Sequence, residues 1–166
     1  RVSQLQGLPA SIIDDVYDAR ITLTPGGKTL LATMKAQGGY AALVSGGFTQ
    51  FTQKVSAALG FDENRANTLI VDEGALTGDV TRPILGREAK IDALNDISAR
   101  LGLSAGDVIA VGDGANDLGM LERAGMGVAL HAKPAVQAKC ALRVNHSDLT
   151  ALLYLQGIAR SDFVDS

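Results

Sequence analysis

VIAVGDGANDLGML, residues 108–121, joins an apolar run to a cluster of small and polar residues. The run 108–111 is short, rich in β-branched residues and uninterrupted, which is typical of a strand buried on both faces of a parallel sheet. Asp113, Asn116 and Asp117 follow it directly. In open parallel sheets, ligands bind at the carboxyl ends of the strands. The stretch therefore predicts a buried strand that delivers two carboxylates to a binding edge.

Apolar runs alternate with helical patterns along the rest of the chain, which is typical of an α/β fold with a parallel sheet. Strands are predicted at 40–44, 108–112, 125–130 and 141–145, and helices at 9–20, 48–60, 89–102, 115–124 and 147–157. Ser147 is the predicted N-cap of the last helix. Residues 66–81 contain two short extended runs around Asp72-Glu73-Gly74, which predicts a hairpin.

The two aspartates after the strand suit a magnesium ion. Mg²⁺ takes oxygen ligands and usually only one or two protein carboxylates, with water and substrate phosphate completing its shell. Asp113 at the strand tip and Asp117 in the first turn of the next helix could share one ion. The alternative is that Asp113 or Asn116 caps that helix, but capping needs only one such residue. Three of them in five positions favour the metal site.

Ser45-Gly46-Gly47 follows the predicted strand 40–44 and precedes a predicted helix. Glycines allow backbone N–H groups to approach an anion closely, and the helix N-terminus and the Ser45 hydroxyl favour the same negative group. The segment predicts a phosphate-binding turn, with a plain strand-to-helix turn as the alternative. Lys90, at the start of the helix 89–102, would neutralise a phosphoryl group or is a solvated surface lysine; its position alone favours the surface lysine.

Composition excludes several classes of partner. The net charge is −3, tryptophan is absent and aromatic residues make up 4% of the chain. Nucleic-acid binding requires a basic face or stacking aromatics, so a nucleic-acid partner is not expected. No apolar stretch is long enough for a membrane span, and the single cysteine, Cys140, forms no internal disulfide. We therefore expect a cytoplasmic protein that acts on a small anionic substrate.

Three motifs occur in a specific order: ALVSGGF at 42–48, Lys90 within GREAKIDAL, and GDGAND at 112–117. Together they resemble the haloacid dehalogenase superfamily of phosphatases and, within it, the phosphoserine phosphatases. The resemblance continues through LTPGGKTLL, LTGDVTRPIL and HAKPAVQAKC. It implies a three-layer, Rossmannoid α/β fold with a parallel sheet and helices on both faces. Residues 1–22 would be the end of a small helical cap, and 23–166 the phosphatase core.

The resemblance also implies roles for the substrate-facing residues. Ser45 and the backbone of Gly46 would bind the phosphoryl group, and Lys90 would neutralise charge on it and on the nucleophile. Asn116 would contact the substrate, and Arg1 would hold its carboxylate, which the fork of a guanidinium suits.

For the metal, the resemblance implies Mg²⁺ as the cofactor. Asp113 would ligate the ion, and Asp117 would support either the ion or the lysine. The small-molecule partner would be a phosphomonoester, phosphoserine, and a homodimer is compatible with the family.

One motif of that family is absent from the sequence. Its nucleophile and general acid are two aspartates in a D-x-D motif on the first strand, and no two aspartates here are separated by a single residue. Asp14, Asp15 and Asp18 have the wrong spacing and lie in a helical pattern. We therefore expect the first strand and its nucleophile to lie upstream of this chain, and the chain alone to be inactive.

The expected activity of the intact protein is Mg²⁺-dependent hydrolysis of phosphoserine to serine and phosphate in serine biosynthesis, through an aspartyl-phosphate. Two alternatives are open. One is a related phosphatase that acts on another small phosphomonoester. The other is a non-catalytic module that binds phosphate and Mg²⁺.

Overall fold

The computed structural model describes residues 2–165. Its helices are α1 (Ile12–Arg20), α2 (Gly27–Ala36), α3 (Thr49–Leu59), α4 (Ala89–Arg100), α5 (Leu118–Arg123), α6 (Pro134–Gln137) and α7 (Ala151–Leu155). Its strands are β1 (Ala42–Phe48), β2 (Glu63–Asn67), β3 (Leu69–Asp72), β4 (Ala75–Val80), β5 (Ile109–Gly112), β6 (Met126–Leu130) and β7 (Leu142–Val144). Short 3₁₀ helices occur at Val2–Leu5, Ala105–Asp107 and Arg160–Asp162. None of the helices in residues 2–165 is long and apolar enough to cross a bilayer.

The chain forms two compact units. One contains the N-terminal part of the chain as far as Leu85 and resumes at Leu152, and the other is Gly86–Ala151. We call them the N-terminal unit and the Gly86–Ala151 unit. The sequence predicts a different division, between a cap (residues 1–22) and a core (residues 23–166), and that division stays a prediction.

The N-terminal unit contains one parallel and one antiparallel pair of strands. β1 pairs in parallel with β2, and β3 pairs with β4 as a hairpin. Its turn residues, Glu73 and Gly74, both have positive φ, as a two-residue type I′ hairpin turn requires. Apolar side chains of the hairpin pack against Ile13 of α1 in a buried cluster completed by Leu69, Leu76 and Val80. This hairpin lies where the Asp72-Glu73-Gly74 pattern predicts it.

The Gly86–Ala151 unit contains a parallel sheet in the order β5-β6-β7. β6 is the central strand, and its Val128 and Ala129 have no exposed surface. Residues from α4, β5, α5 and the segment 129–140 form one buried cluster, in which Cys140 is 7% exposed. The strand VIAVG thus delivers the residues after Gly112 to the carboxyl edge of a parallel sheet, as the sequence predicts.

Two local predictions differ from the structure, and one strand was not predicted. β1 continues through Ser45-Gly46-Gly47 to Phe48, with an irregular register before Phe48, so these residues are extended rather than a separate turn. β2 lies in the polar sequence ENRAN, which carries no apolar strand pattern. The Ser147 prediction is wrong: the last helix begins at Ala151, and the local turn is stabilised by the Asp148 carboxylate, which accepts from the backbone and hydroxyl of Thr150.

Candidate active site

Asp117 lies just before α5 and is almost fully buried, with 2% of its surface exposed. Its Oδ2 accepts hydrogen bonds from the backbone N–H groups of Asp113 (3.0 Å) and Gly114 (2.9 Å). Its Oδ1 accepts from Nζ of Lys90. Both carboxylate oxygens are therefore engaged by donors from the protein, and the side chain ties the loop after β5 to the start of α4.

Two glycines of the GDGAND motif make room for these side chains. A Cβ at Gly112 would lie 2.5 Å from Cβ and Cγ of Asp117, closer than real side chains approach. A Cβ at Gly114 would collide with Oδ1 of Asn116. The absence of a side chain at Gly112 therefore allows the Asp117 carboxylate to lie against the end of β5.

Opposing effects act on the pKa of the Asp117 carboxyl. Burial is the largest and by itself raises the pKa, because the charged form loses hydration. The hydrogen bond from Lys90, the N–H groups of Gly114 and Asp113, and the lysine's positive charge all lower it, and together they hold the pKa below its ordinary value. Asp117 is therefore ionised at neutral pH.

Lys90 reaches Asp117 from the first turn of α4, 27 residues earlier in the chain. Its side chain is 16% exposed. The neighbouring Ile91 packs against α5 at Gly119, where a Cβ would lie 2.5 Å from Cδ1 of Ile91. The absence of a side chain at Gly119 allows α4 and α5 to approach closely at this point, and this small residue two positions after Asp117 is one that the sequence reasoning did not single out.

Asp113 differs from Asp117 in its burial and in the partners of its carboxylate. It is exposed, and among the described residues its carboxylate makes no hydrogen bond or ion pair. Its backbone is fixed, since its N–H bonds to Asp117 and its carbonyl accepts from the N–H of Lys133 at 3.4 Å. Asn116, also exposed, lies in the same loop. The structure thus holds the Asp113 backbone while leaving its carboxylate open to a ligand.

This donor set fits a magnesium ion only in part. Within residues 2–165, no group of three or more histidine, cysteine, aspartate or glutamate side chains is arranged to hold a metal ion. Mg²⁺ typically binds one or two protein carboxylates and retains water or substrate oxygens. The open carboxylate of Asp113 suits that mode, whereas Asp117 already uses both oxygens. The residues present therefore fit Mg²⁺ if other oxygen ligands complete its shell.

Ser45 and Gly46 lie near the end of β1 in the N-terminal unit. Oγ of Ser45 accepts a hydrogen bond from the N–H of Gly47 at 3.0 Å, which leaves its O–H free to donate elsewhere. Gly46 is exposed, and a Cβ placed on it would meet no heavy atom of the described residues within 4 Å. The segment therefore has open space beside the backbone where a phosphate-binding role requires it.

Asn67, at the end of β2, is a buried polar residue that sequence reasoning missed. Its Nδ2 donates to the carbonyls of Gly46 (3.2 Å) and Leu85 (3.4 Å), and its Oδ1 accepts from the N–H of Leu85 at 2.7 Å. An asparagine inside a short strand is unfavourable, which is the one signal in the sequence that points to it.

The predicted site residues divide between the two units. Lys90, Asp113, Asn116 and Asp117 lie together at one end of the Gly86–Ala151 unit, and Ser45 and Gly46 lie together in the N-terminal unit. Arg1, the predicted carboxylate-binding residue, lies outside the described residues.

The fold and these motifs define a class of hydrolase. The chain belongs to the haloacid dehalogenase-like hydrolases, whose family description matches residues 1–122. This result confirms the family resemblance seen in the sequence.

Relatives named phosphoserine phosphatase are similar to most of the chain. One from Streptomyces coelicolor is 46% identical over 162 residues, which are 98% of this chain and 39% of the relative. One from Lactococcus lactis is 42% identical over 92% of this chain and 70% of the relative. The chain therefore spans well under half of the first relative and over two thirds of the second.

Solved structures confirm the α/β fold class. A probable phosphoserine phosphatase from Vibrio cholerae matches 97% of this chain and 50% of its own length, with a TM-score of 0.90 and 36% identity. A substrate-bound phosphoserine phosphatase complex matches 95% of this chain and 74% of its own length, with a TM-score of 0.86 and 38% identity. The predicted parallel α/β architecture is thus that of these phosphatases.

Proposed function

We propose that the protein containing this chain hydrolyses phosphoserine to serine and inorganic phosphate with the help of Mg²⁺. The observation that carries the proposal is the arrangement at the end of β5, where an open carboxylate, Asp113, adjoins the ion pair between the half-buried Lys90 and the buried Asp117. The names of the similar phosphatases support the substrate. The proposal places the reaction in serine biosynthesis and in the cytoplasm.

In this proposal Lys90 supplies a fixed positive charge to the phosphoryl group. A phosphoryl group in transfer carries negative charge on its outer oxygens, and a preorganised cation stabilises it without reorganising during the reaction. Asp117 holds the ammonium of Lys90 in place and fixes the loop of Asp113. Because Asp117 is buried and bonded to Nζ of Lys90, the ammonium is oriented before substrate arrives.

Asp113 is the proposed protein ligand of Mg²⁺. Asp117 is the proposed supporting carboxylate, and it bonds to the backbone of the loop that carries Asp113. When bound, Mg²⁺ would polarise phosphoryl oxygens and offset their charge. The backbone of Asp113 is held through both its N–H and its carbonyl, and its carboxylate oxygens accept no hydrogen bond from residues 2–165.

The remaining predicted residues bind the substrate. The Ser45 hydroxyl and the backbone at Gly46 would donate to phosphoryl oxygens, and Asn116 would contact the substrate from the loop after β5. Arg1 is proposed to pair with the α-carboxylate of phosphoserine, the feature that separates this substrate from sugar phosphates.

The attacking group is proposed to come from residues other than these 166, because the sequence has no D-x-D pair. A carboxylate oxygen of the first aspartate would attack phosphorus and form an aspartyl-phosphate as the P–O bond to serine breaks. The second aspartate, as an acid, would protonate the departing serine oxygen and then accept a proton from the water that hydrolyses the intermediate.

The proposal is tested with the intact protein and a substrate panel of phosphoserine, phosphothreonine and a sugar phosphate, assayed against Mg²⁺ concentration. We expect phosphoserine to have the highest kcat/KM. A sugar phosphate preferred by a wide margin would overturn the substrate, and no hydrolysis with retained phosphate binding would favour the non-catalytic module. Light scattering in the same buffer tests whether the intact protein is a homodimer.

Asp113→Asn provides the test of the metal ligand. We expect the Mg²⁺ concentration for half-maximal activity to rise by about tenfold or more, with partial recovery at high Mg²⁺. Asp92→Asn is the matched control, because Asp92 is an exposed aspartate of α4 in the same unit. An unchanged Mg²⁺ dependence for Asp113→Asn would remove Asp113 from the metal site.

A further inference from the structure

We propose that Asn67 is a positioning residue for phosphate binding, acting on Ser45 through a single peptide group. The inference rests on the proposed function, because it assigns a role within the same phosphate-binding segment. All the residues that carry it lie in the N-terminal unit.

The connecting element is the peptide group between Gly46 and Gly47. Its carbonyl accepts from Nδ2 of Asn67 at 3.2 Å, and its N–H donates to Oγ of Ser45 at 3.0 Å. A peptide group is planar and its C=O and N–H point in opposite directions. Asn67 and Ser45 therefore bond to opposite sides of one rigid peptide group. A rotation of this group that weakens one of the two bonds also changes the other.

The orientation of this peptide group determines where the Ser45 hydroxyl can donate. A hydroxyl has one proton and two acceptor lone pairs. When the N–H of Gly47 occupies a lone pair of Oγ, the directions left for the O–H are restricted. The bond from Asn67 to the Gly46 carbonyl also polarises the peptide group, which strengthens its N–H as a donor. Asn67 thus prepares Ser45 to donate to an incoming phosphate oxygen.

Glycine at positions 46 and 47 makes this control necessary. Two consecutive glycines leave the peptide group between them free to rotate, since neither has a side chain that restricts φ and ψ. The space beside Gly46 is open, so packing does not restrain it. Asn67 is buried and is fixed by a pair of bonds to the backbone of Leu85, and it supplies the restraint that packing does not.

Asn67→Asp removes the donor to the carbonyls of Gly46 and Leu85 while keeping the volume and the acceptor for the N–H of Leu85. In the intact protein we expect the Kd of inorganic phosphate, measured by calorimetry, to rise by about tenfold, and kcat/KM for phosphoserine to fall by a similar factor. Asn64→Asp is the matched control: Asn64 lies on the same strand and bonds to Thr52 rather than to the Ser45 segment. It should leave the Kd of phosphate unchanged.

A double-mutant cycle separates positioning from a merely structural role. Ser45→Ala removes the hydroxyl through which Asn67 acts, so adding Asn67→Asp to it should cost little further phosphate affinity. If the two effects add in full, or if Asn67→Asp lowers Tm but leaves the Kd of phosphate unchanged, the inference is wrong. Asn67→Ala repeats the measurement should Asn67→Asp not fold, and the same outcomes decide.

The readouts distinguish this inference from the proposed function. Phosphate binding by calorimetry needs no turnover, so an intact protein that hydrolyses nothing but binds phosphate in an Asn67-dependent way would refute the activity and support the positioning role. Hydrolysis of phosphoserine with a Kd of phosphate indifferent to Asn67→Asp would do the reverse.

Discussion

The Lys90–Asp117 region and the Ser45–Gly46 region are both at strand ends, but they are held in place differently. In the first, a buried carboxylate collects three donors, and glycines are required for its side chain to fit. In the second, the polar groups belong mainly to the backbone, and the space beside Gly46 is open. The comparison indicates that a site built from charged side chains is held in place by dense packing. A site built from backbone groups needs open space for its ligand and a hydrogen bond, here from Asn67, that fixes the peptide group.

Lys90→Met breaks the first region most severely. Removing the ammonium leaves Asp117 buried without its cation, which we expect to lower the free energy of unfolding of the intact protein by about 3 kcal/mol. Activity toward phosphoserine should fall by about a thousandfold, because the fixed charge on the phosphoryl group is lost. Chemical denaturation and steady-state kinetics measure the two effects.

Lys139→Met is the control for this change, because Lys139 is exposed in the same unit. Its effect on the free energy of unfolding should stay within about 0.5 kcal/mol. If Lys90→Met were as mild as this control, the Lys90–Asp117 pair would not be the stabilising element of the region.

Alanine in place of glycine compares the two strand ends directly. Gly112→Ala forces a methyl group onto the Asp117 side chain and should lower the free energy of unfolding by about 2 kcal/mol. Gly46→Ala meets no neighbour and should change it by less than about 0.5 kcal/mol, while weakening phosphate binding through the methyl in the open space. Equal destabilisation by both changes would contradict the contrast between a packed and an open site.

Acid pH gives the smallest and most selective effect. The pKa of Asp117 is lowered in the folded protein, so the unfolded chain takes up its proton more readily. The stability from this group is complete above the ordinary carboxyl range and is lost as pH falls below about 4. Denaturation between pH 6 and 3 should show a shallower loss in Asp117→Asn than in the wild type.

Ser45→Ala is the comparison for the pH measurement, since it changes the other region and removes no ionisable group. Its stability should follow the wild-type pH dependence. A wild-type slope matched by Asp117→Asn would mean that Asp117 does not titrate with a lowered pKa.

The alternating apolar runs were enough to predict the parallel α/β fold and the strand before GDGAND. Burial on both faces leaves a short continuous apolar signature, as in VIAVG, and the hairpin at Glu73-Gly74 follows from local turn chemistry. β2 could not be predicted this way. Its sequence ENRAN is polar, and it is a strand because β1 provides a partner edge.

The residues of the candidate site were likewise predicted only in part. Asp113 and Asp117 were found because a cluster of acids after a strand is rare by chance, but their different environments depend on Lys90, which is 27 residues away in sequence. Asn67 and Gly119 were missed since each matters only through contacts with distant residues, Gly46 for one and Ile91 for the other. Spacing predicts which residues share an edge, but it does not predict which of their atoms are already occupied.

Cys140 is a built-in probe of local unfolding in the Gly86–Ala151 unit. It is the chain's single thiol and is buried in the same apolar cluster as β5 and α5. A thiol reagent can modify it only when that cluster opens, so the labelling rate at low reagent reports the equilibrium of opening of this unit. Substitutions in the Lys90–Asp117 region should therefore speed the labelling of Cys140, and those at Ser45 and Gly46 should leave it unchanged.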